Sequence, residues 1–362
     1  GWDGVDTGGG ALLMTQRSYV EKLAARFGFE DCHPVNTPSD KVKVSVVDCY
    51  DGDPKSNPHG RRFREMCGAL RWLEQCTRPD ISATLSELCK VQSNPGEVHL
   101  RALERLMRYA VTTKHYGILY GGPKTSASDG PCVGYVDSDW GGDPDTSHSR
   151  GGYIFTAWQA PISWASFKMR SVAASSCESE YMAAAHATRH AVWLRYLYSD
   201  MGYGDLSPTT FGKLCADDYK KKRLGDVRRD EKPTMILIDN KGALALTENP
   251  VMHKRSKHIH ISYAVSKQHV AKKHVRFNYI NTKENLADIM TKVTTKSTHD
   301  YLVGHLLHEL RDDGVHRHRG EPVWPWEMRA FVEHEAQVQR RLSEVKEAPT
   351  RKKHNRLHPG LL

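Results

Sequence analysis

The run Gly134-Tyr135-Val136-Asp137-Ser138-Asp139-Trp140 constrains this chain more than any other stretch, because an apolar, β-prone segment ends there on acids. Tyr135 and Val136 suit a buried strand, and the two-residue period of a strand places Asp137 and Asp139 on one face. A carboxylate buried in that setting is costly unless it is neutralised or meets a cation. Three later segments bring further acids in similar settings. Glu178 and Glu180 open an Ala-rich helical run, Asp239 closes Thr234-Met235-Ile236-Leu237-Ile238, and Asp288 lies in Glu284-Asn285-Leu286-Ala287-Asp288-Ile289-Met290. Oxygen ligands drawn from strand ends and helix starts are what a hard divalent cation such as Mg²⁺ or Mn²⁺ demands.

The 362 residues leave room for two domains, each with a core of its own. A mean hydropathy of -0.60 and the lack of a long uncharged apolar run argue against a membrane span. No secretory pattern opens the chain, so an intracellular protein is expected. The net charge of +9 favours an anionic partner, nucleic acid foremost. The eight cysteines form no CxxC pair, so neither a zinc ribbon nor a redox motif is suggested, and scattered reduced thiols are expected. The start at Gly1, without a methionine, reads as a segment of something longer.

Along the chain, Leu12-Leu13-Met14 predicts a short strand, and Val20, Leu23 and Phe27 share a helical face that Gly28 stops. Prolines and glycines from Cys32 to Arg62 predict a long exposed loop. Three helices are expected over Phe63–Glu74, Pro79–Val91 with a first-turn proline, and Val98–Tyr109, then a strand over Tyr116–Tyr120. The Gly-, Ser- and Pro-rich stretch 123–131 reads as a linker. Beyond it, strands at 134–140, 152–157 and 162–165 form a meander, followed by a helix over Glu178–Tyr198 and a strand ending at Asp239. Helices over Asn240–Glu248 and Ile259–Val270, a strand over His274–Ile280 and a helix from Glu284 complete the order βββαβααβα. Strands reached through helices pair parallel to the first, which predicts a mixed sheet with helices on both faces. After Asp300 a helix over Tyr301–Leu310, a loose polar stretch from Arg311 and a basic tail are expected.

This order resembles the ribonuclease H fold, and the wording is similar to the copia-type LTR retrotransposon Pol polyproteins. The carriers are Tyr135-Val136-Asp137-Ser138-Asp139-Trp140, Ser149-Arg150-Gly151-Gly152-Tyr153-Ile154-Phe155, Ile162-Ser163-Trp164, Ser176-Cys177-Glu178-Ser179-Glu180-Tyr181, Asp239-Asn240, Lys257-His258-Ile259, and Asn285-Leu286-Ala287-Asp288 with Thr291-Lys292. Upstream, Tyr19–Phe29, Arg78-Pro79-Asp80-Ile81 and Arg108-Tyr109 through Tyr116-Gly117 resemble the segment joining a reverse transcriptase to its nuclease. The paired-aspartate signature of a polymerase palm is missing, so no polymerase activity is expected from this chain.

The resemblance implies an α/β chain in four parts. Residues 1–122 would be a mainly helical, thumb- or connection-like end of a reverse transcriptase, 123–131 a linker, 132–295 a ribonuclease H-like domain with a five-stranded mixed sheet, and 296–362 a helical and basic tail. It implies hydrolysis of the RNA strand of RNA/DNA hybrids with two divalent ions, Mg²⁺ or Mn²⁺, during reverse transcription, in the cytoplasm within a virus-like particle or in the nucleus. Asp137, Glu180, Asp239 and Asp288 match the family's four metal-binding acids, with Glu178 the alternative to Glu180 and Asp139 a hydrogen-bonding or capping neighbour. Ser166, Lys168, Arg170 and Asn240 are expected at the hybrid's minor groove, and Lys254, Arg255 and Lys257 at phosphates. The upstream reverse transcriptase domain is the expected protein partner. The stretch from Gly202 to Lys232 is longer than the family pattern, and Asn281-Thr282-Lys283 carries no histidine where cellular ribonucleases H keep one. The alternatives are an inactive hybrid-binding remnant and, more distantly, an integrase of the same fold.

Overall fold

The computed structural model describes residues 2–7, 11–40, 44–121, 132–157, 160–201, 233–248, 265–311 and 314–317. All of these belong to one compact unit, Gly1–Val323. The expected linker, the long stretch after Gly202, Lys254, Arg255 and Lys257, and the basic tail lie outside the described residues.

The first part opens with β1 (Asp3–Asp6) and β2 (Leu12–Thr15), the former not expected from its pattern, and continues into α1 (Arg17–Phe27). Gly28 ends α1 in the left-handed conformation at φ 76°, its N–H reaching the carbonyl of Ala24, a geometry that only glycine takes without strain. Short 3₁₀ turns at Val46–Asp48 and Pro54–Ser56 interrupt the expected loop before α2 (Gly60–Cys76). A 3₁₀ turn at Pro79–Ile81 leads into α3 (Ser82–Leu88), and α4 (Glu97–Thr112) precedes β3 (Tyr116–Tyr120). Val20, Leu23 and Phe27 of α1 pack with Phe63, Met66 and Leu70 of α2 and Leu103, Leu106 and Met107 of α4 in one apolar core.

Under these helices lies a fully buried ion pair. Arg78 Nε and Nη2 donate to the two oxygens of Asp80 at 2.9 and 2.7 Å, while Nη1 donates to the carbonyl of Thr113 at 3.0 Å. Tyr109 Oη donates to Asp80 at 2.7 Å, and the guanidinium lies 5.4 Å from the Tyr109 ring centre and 5.5 Å from that of Tyr116. The segment Arg78-Pro79-Asp80-Ile81 thus ties the turn before α3 to the end of α4. A buried charge pair is tolerated only when its hydrogen bonds are filled in this way.

The second part contains β4 (Val133–Asp139), β5 (Arg150–Ala157), β6 (Ala160–Lys168), α5 (Ser176–Asp200), β7 (Thr234–Ile238), α6 (Lys241–Glu248), α7 (Val265–Ala271) and β8 (Val275–Tyr279). Their sheet has five strands in the order β6-β5-β4-β7-β8. The first three pair antiparallel, β7 pairs parallel to β4, and β8 pairs parallel to β7. This is the expected mixed sheet. On α5, Ala183, Ala184, Ala187 and Ala191 are buried, and such small side chains permit close approach to the sheet. The buried side runs through Tyr181, Thr188, Leu194 and Tyr198, whereas Leu197 is 36% exposed.

Beyond β8, a 3₁₀ turn at Thr282–Glu284 replaces the start of the expected helix, and α8 covers only Asp288–Thr291. The reason is Asn285, whose buried amide donates to the carbonyl of Val136 at 3.0 Å and whose Oδ1 accepts from Ala287 N at 3.1 Å. A side chain that satisfies backbone groups in this way competes with helix continuation. α9 (Lys296–Leu306) is capped by Thr295, and the chain then forms β9 (His308–Arg311) and β10 (Gly314–Arg317). β9 joins β3, so the second sheet runs β1-β2-β3-β9-β10, where a longer helix and a loose stretch were expected. His316 lies in β10, and His318 lies outside the described residues.

Candidate active site

The acids come together because of register. β4 and β7 are parallel with Val136 opposite Ile238, so Asp137 and Asp239 leave neighbouring strands at the same level. Glu180 lies in the second turn of α5, which is fixed to β4 by the buried contact of Ser138 Oγ with Ser179 Oγ at 2.6 Å. One carboxylate oxygen from each of Asp137, Glu180 and Asp239 lies within 4.8 Å of the others. Two oxygens sharing an ion at 2.0–2.6 Å lie at most about 4–5 Å apart, so this set fits a divalent cation.

Glu180 suits such an ion in a second respect. Its Oε1 accepts from Ser138 N at 3.1 Å, while its buried Oε2 has no hydrogen-bond partner among the described residues. Burial, then the charges of Asp137 and Asp239, push the Glu180 carboxyl up to about 9. Burial and Asp137 raise Asp239 as well. Carboxylates crowded in this way hold protons or a metal, since like charges at short range cannot all ionise alone.

Glu178, the other candidate, turns away from the cluster and accepts from Ala174 N at 2.8 Å. Two residues apart on a helix is more than half a turn, so only one of the pair faces β4. Asp139 lies against the turn after β4: a Cβ added at Gly142 would meet its Oδ2 at 2.0 Å. It is not one of the three clustered acids.

Asp288 is brought to the same place by α8, which crosses β5 where Gly152 leaves room. A Cβ there would meet Met290 Cβ at 2.4 Å and Thr291 Cγ2 at 2.9 Å. Asp288 does not join the three-acid cluster directly, because a lysine stands between. Lys292 Nζ lies 3.1 Å from Asp137 Oδ1 and 3.1 Å from Asp288 Oδ1. Thr291 Oγ1 donates to the other oxygen of Asp137. Burial, then Asp137, push Asp288 up to about 7, with Lys292 acting against them. Burial alone would lower Lys292, but Asp137 and Asp288 outweigh it and hold the ammonium above the ordinary lysine range. Thr291 and Lys292 belong to the segments that carry the resemblance, which assigns them no role. The i,i+4 spacing of Asp288 and Lys292 was the available signal.

The expected nucleic-acid residues divide. Ser166 Oγ accepts from Arg150 Nη1 at 3.1 Å and its carbonyl accepts from Ser86 Oγ at 3.3 Å. Lys168 Nζ lies 3.0 Å from Asp143 Oδ2, which also meets Lys90 Nζ at 2.9 Å. Arg150 completes this joint through Glu87 and Ser86 of α3. Arg170, by contrast, is exposed on the turn after β6, and Asn240 is half-buried beside Asp239, its Oδ1 accepting from Ala243 N at 3.0 Å. Trp140, absent from the expected set, follows β4 directly and is 53% exposed, with its indole N–H fixed on the carbonyl of Ala173 at 2.9 Å.

A five-stranded sheet of this order and pairing, with acids at the ends of its first and fourth strands and on the helix between them, defines a ribonuclease H-like protein. The chain is 32% identical over 287 residues to the retrovirus-related Pol polyprotein from transposon RE1 of Arabidopsis thaliana, covering 79% of this chain and 17% of that protein. It is 29% identical over 288 residues to the corresponding polyprotein from transposon TNT 1-94 of Nicotiana tabacum, covering 79% and 19%. The chain belongs to the copia-type retrovirus-related Pol polyproteins, and it spans under a fifth of the length of these two relatives. No family model matches it. Among solved structures, LC11-RNase H1 in complex with an RNA/DNA hybrid aligns at 13% identity over 44% of this chain and 93% of that one, with a TM-score of 0.28.

Proposed function

We propose that this chain is the ribonuclease H portion of a copia-type Pol polyprotein and cuts the RNA strand of RNA/DNA hybrids made by the upstream reverse transcriptase domain, its protein partner, inside the cell. The observation that carries the reading is the convergence of Asp137, Glu180 and Asp239 within 4.8 Å around a buried Glu180 oxygen that has no partner among the described residues. Asp137, Glu180, Asp239 and Asp288 would hold two ions, Mg²⁺ or Mn²⁺. Such ions, when bound, supply water activation and stabilisation of the charge that develops on the phosphate and leaving oxygen.

The chain's own residues do the rest. Ser138 N orients Glu180, Thr291 orients Asp137, and Asn285 anchors the segment that carries Asp288. Arg170 and Asn240 would meet the minor groove, where 2′-hydroxyls distinguish RNA from DNA. Ser166 and Lys168 fix the strand leading to Arg170 by holding Arg150 and Asp143. Residues 1–122 would act as the connection to the polymerase, docked through α3. Among the described residues no helix is long and apolar enough to cross a membrane.

The test is cleavage of an end-labelled RNA/DNA hybrid with Mg²⁺, beside a DNA duplex and the variants Asp137→Asn and Asp239→Asn. Hybrid-only cutting that both variants abolish, with hybrid affinity within about twofold of wild type, is expected because the basic surface is untouched. Hybrid binding without cutting by the wild-type chain would establish a binding remnant instead.

A further inference from the structure

We propose that Lys292 is a built-in cation that occupies the Asp137–Asp288 side of the acid cluster, so that the site takes one divalent ion readily and a second only when the lysine side chain leaves. The inference rests on the reading of these acids as metal ligands.

The geometry divides the site into two halves. Asp137, Glu180 and Asp239 converge on one point, and Asp288 is not among them. The gap between Asp137 and Asp288 is spanned by Lys292 Nζ at 3.1 Å from an oxygen of each. With Thr291 Oγ1 on Asp137 Oδ2, both oxygens of Asp137 are engaged. An ion bridging Asp137 and Asp288 therefore has to take the place of an ammonium group, whereas an ion on the other side meets the unpartnered oxygen of Glu180.

Charge balance points the same way. Four ionised carboxylates carry -4; Lys292 and one divalent ion bring the site to -1, and two divalent ions without Lys292 bring it to zero. Adding the second ion while the ammonium stays would leave the site at +1 in a confined space, where like charges at about 4 Å repel strongly. The lysine can leave. Its side chain is 35% exposed, it follows the last residue of α8, and its four-carbon stem is flexible. The acid cluster is thus held together before metal arrives, and the second ion is admitted by displacement of a side chain.

Mn²⁺ binding to the full chain, followed by electron paramagnetic resonance and calorimetry without nucleic acid, tests this. The wild type should show one tighter and one weaker site. Lys292→Met should tighten the weaker site by at least about tenfold, the floor for removing a unit charge beside a divalent ion. Lys292→Arg, which keeps the cation, should keep the wild-type difference. If Lys292→Met does not fold, Lys292→Gln gives the same comparison. Equal isotherms for wild type and the uncharged variant, or no Mn²⁺ binding by either, overturn the proposal. Failure of the ribonuclease reading is distinguishable: the two-site Mn²⁺ pattern would persist while hybrid cleavage is absent.

Discussion

Replacing Gly152 by alanine should damage the site from outside it. The added Cβ would lie 2.4 Å from Met290 Cβ and 2.9 Å from Thr291 Cγ2, where apolar carbons settle at about 3.5–4.0 Å. Relief requires α8 to retreat by about 1 Å from β5, because Cβ atoms cannot rotate away as side-chain ends do. Met290 is fully buried and Thr291 is 4% exposed, so the retreat disturbs packed neighbours and is expected to cost about 1–3 kcal/mol. Without the clash the same exchange would be neutral or slightly stabilising, since Gly152 is not among the glycines at positive φ. The same helix carries Asp288 and sets Thr291 against Asp137, and a misplacement of about 1 Å can cost on the order of 10²-fold in rate. Urea denaturation and single-turnover hybrid cleavage at saturating Mg²⁺ measure the two effects. Gly68→Ala, in α2 with open space around the added atom, is the control and should hold or raise stability. A Gly152→Ala protein with wild-type stability and cleavage would refute the role of this close approach in seating α8.

Arg78→Met should destabilise the fold by about 3–5 kcal/mol by stranding the buried Asp80, and Arg78→Met combined with Asp80→Leu should recover part of that in chemical denaturation. Burial depresses His190 from 6.5 to about 4, so between those pH values the unfolded chain binds the proton more readily and stability rises with pH, complete above about 6.5. His190→Phe should flatten that part of a stability-versus-pH profile, and an unchanged slope would show that other groups set it.

Much of the candidate site is legible in the sequence alone. Apolar runs ending in Asp137 and Asp239 mark strands in any short window, and the Ala-rich run behind Glu180 marks a helix that can approach a sheet closely. Four acids at the ends of such elements, in this order, point to one acid cluster on a mixed sheet; three of them meet there, and Lys292 stands between Asp137 and Asp288. The choice of Glu180 over Glu178 came from resemblance, and its physical basis is rotational: one faces β4, the other caps its own loop.

What the chain alone could not show is which distant group each residue meets. Lys168 and Ser166 read along the sequence as groove residues, and the fold adds partners for them, Asp143 and Arg150, that no short window shows. β9 pairs with β3 across just over half of the chain's length, an alignment that no local period encodes. Lys292 reads as one more surface lysine until Asn285 and Gly152 seat α8 against β4 and β5, which places its ammonium between Asp137 and Asp288. Periodicity and propensity belong to a few neighbouring residues and fix elements and the faces they bury; charge pairing, close approach and strand addition depend on distances between residues far apart in sequence, and those exist only once the tertiary structure has formed.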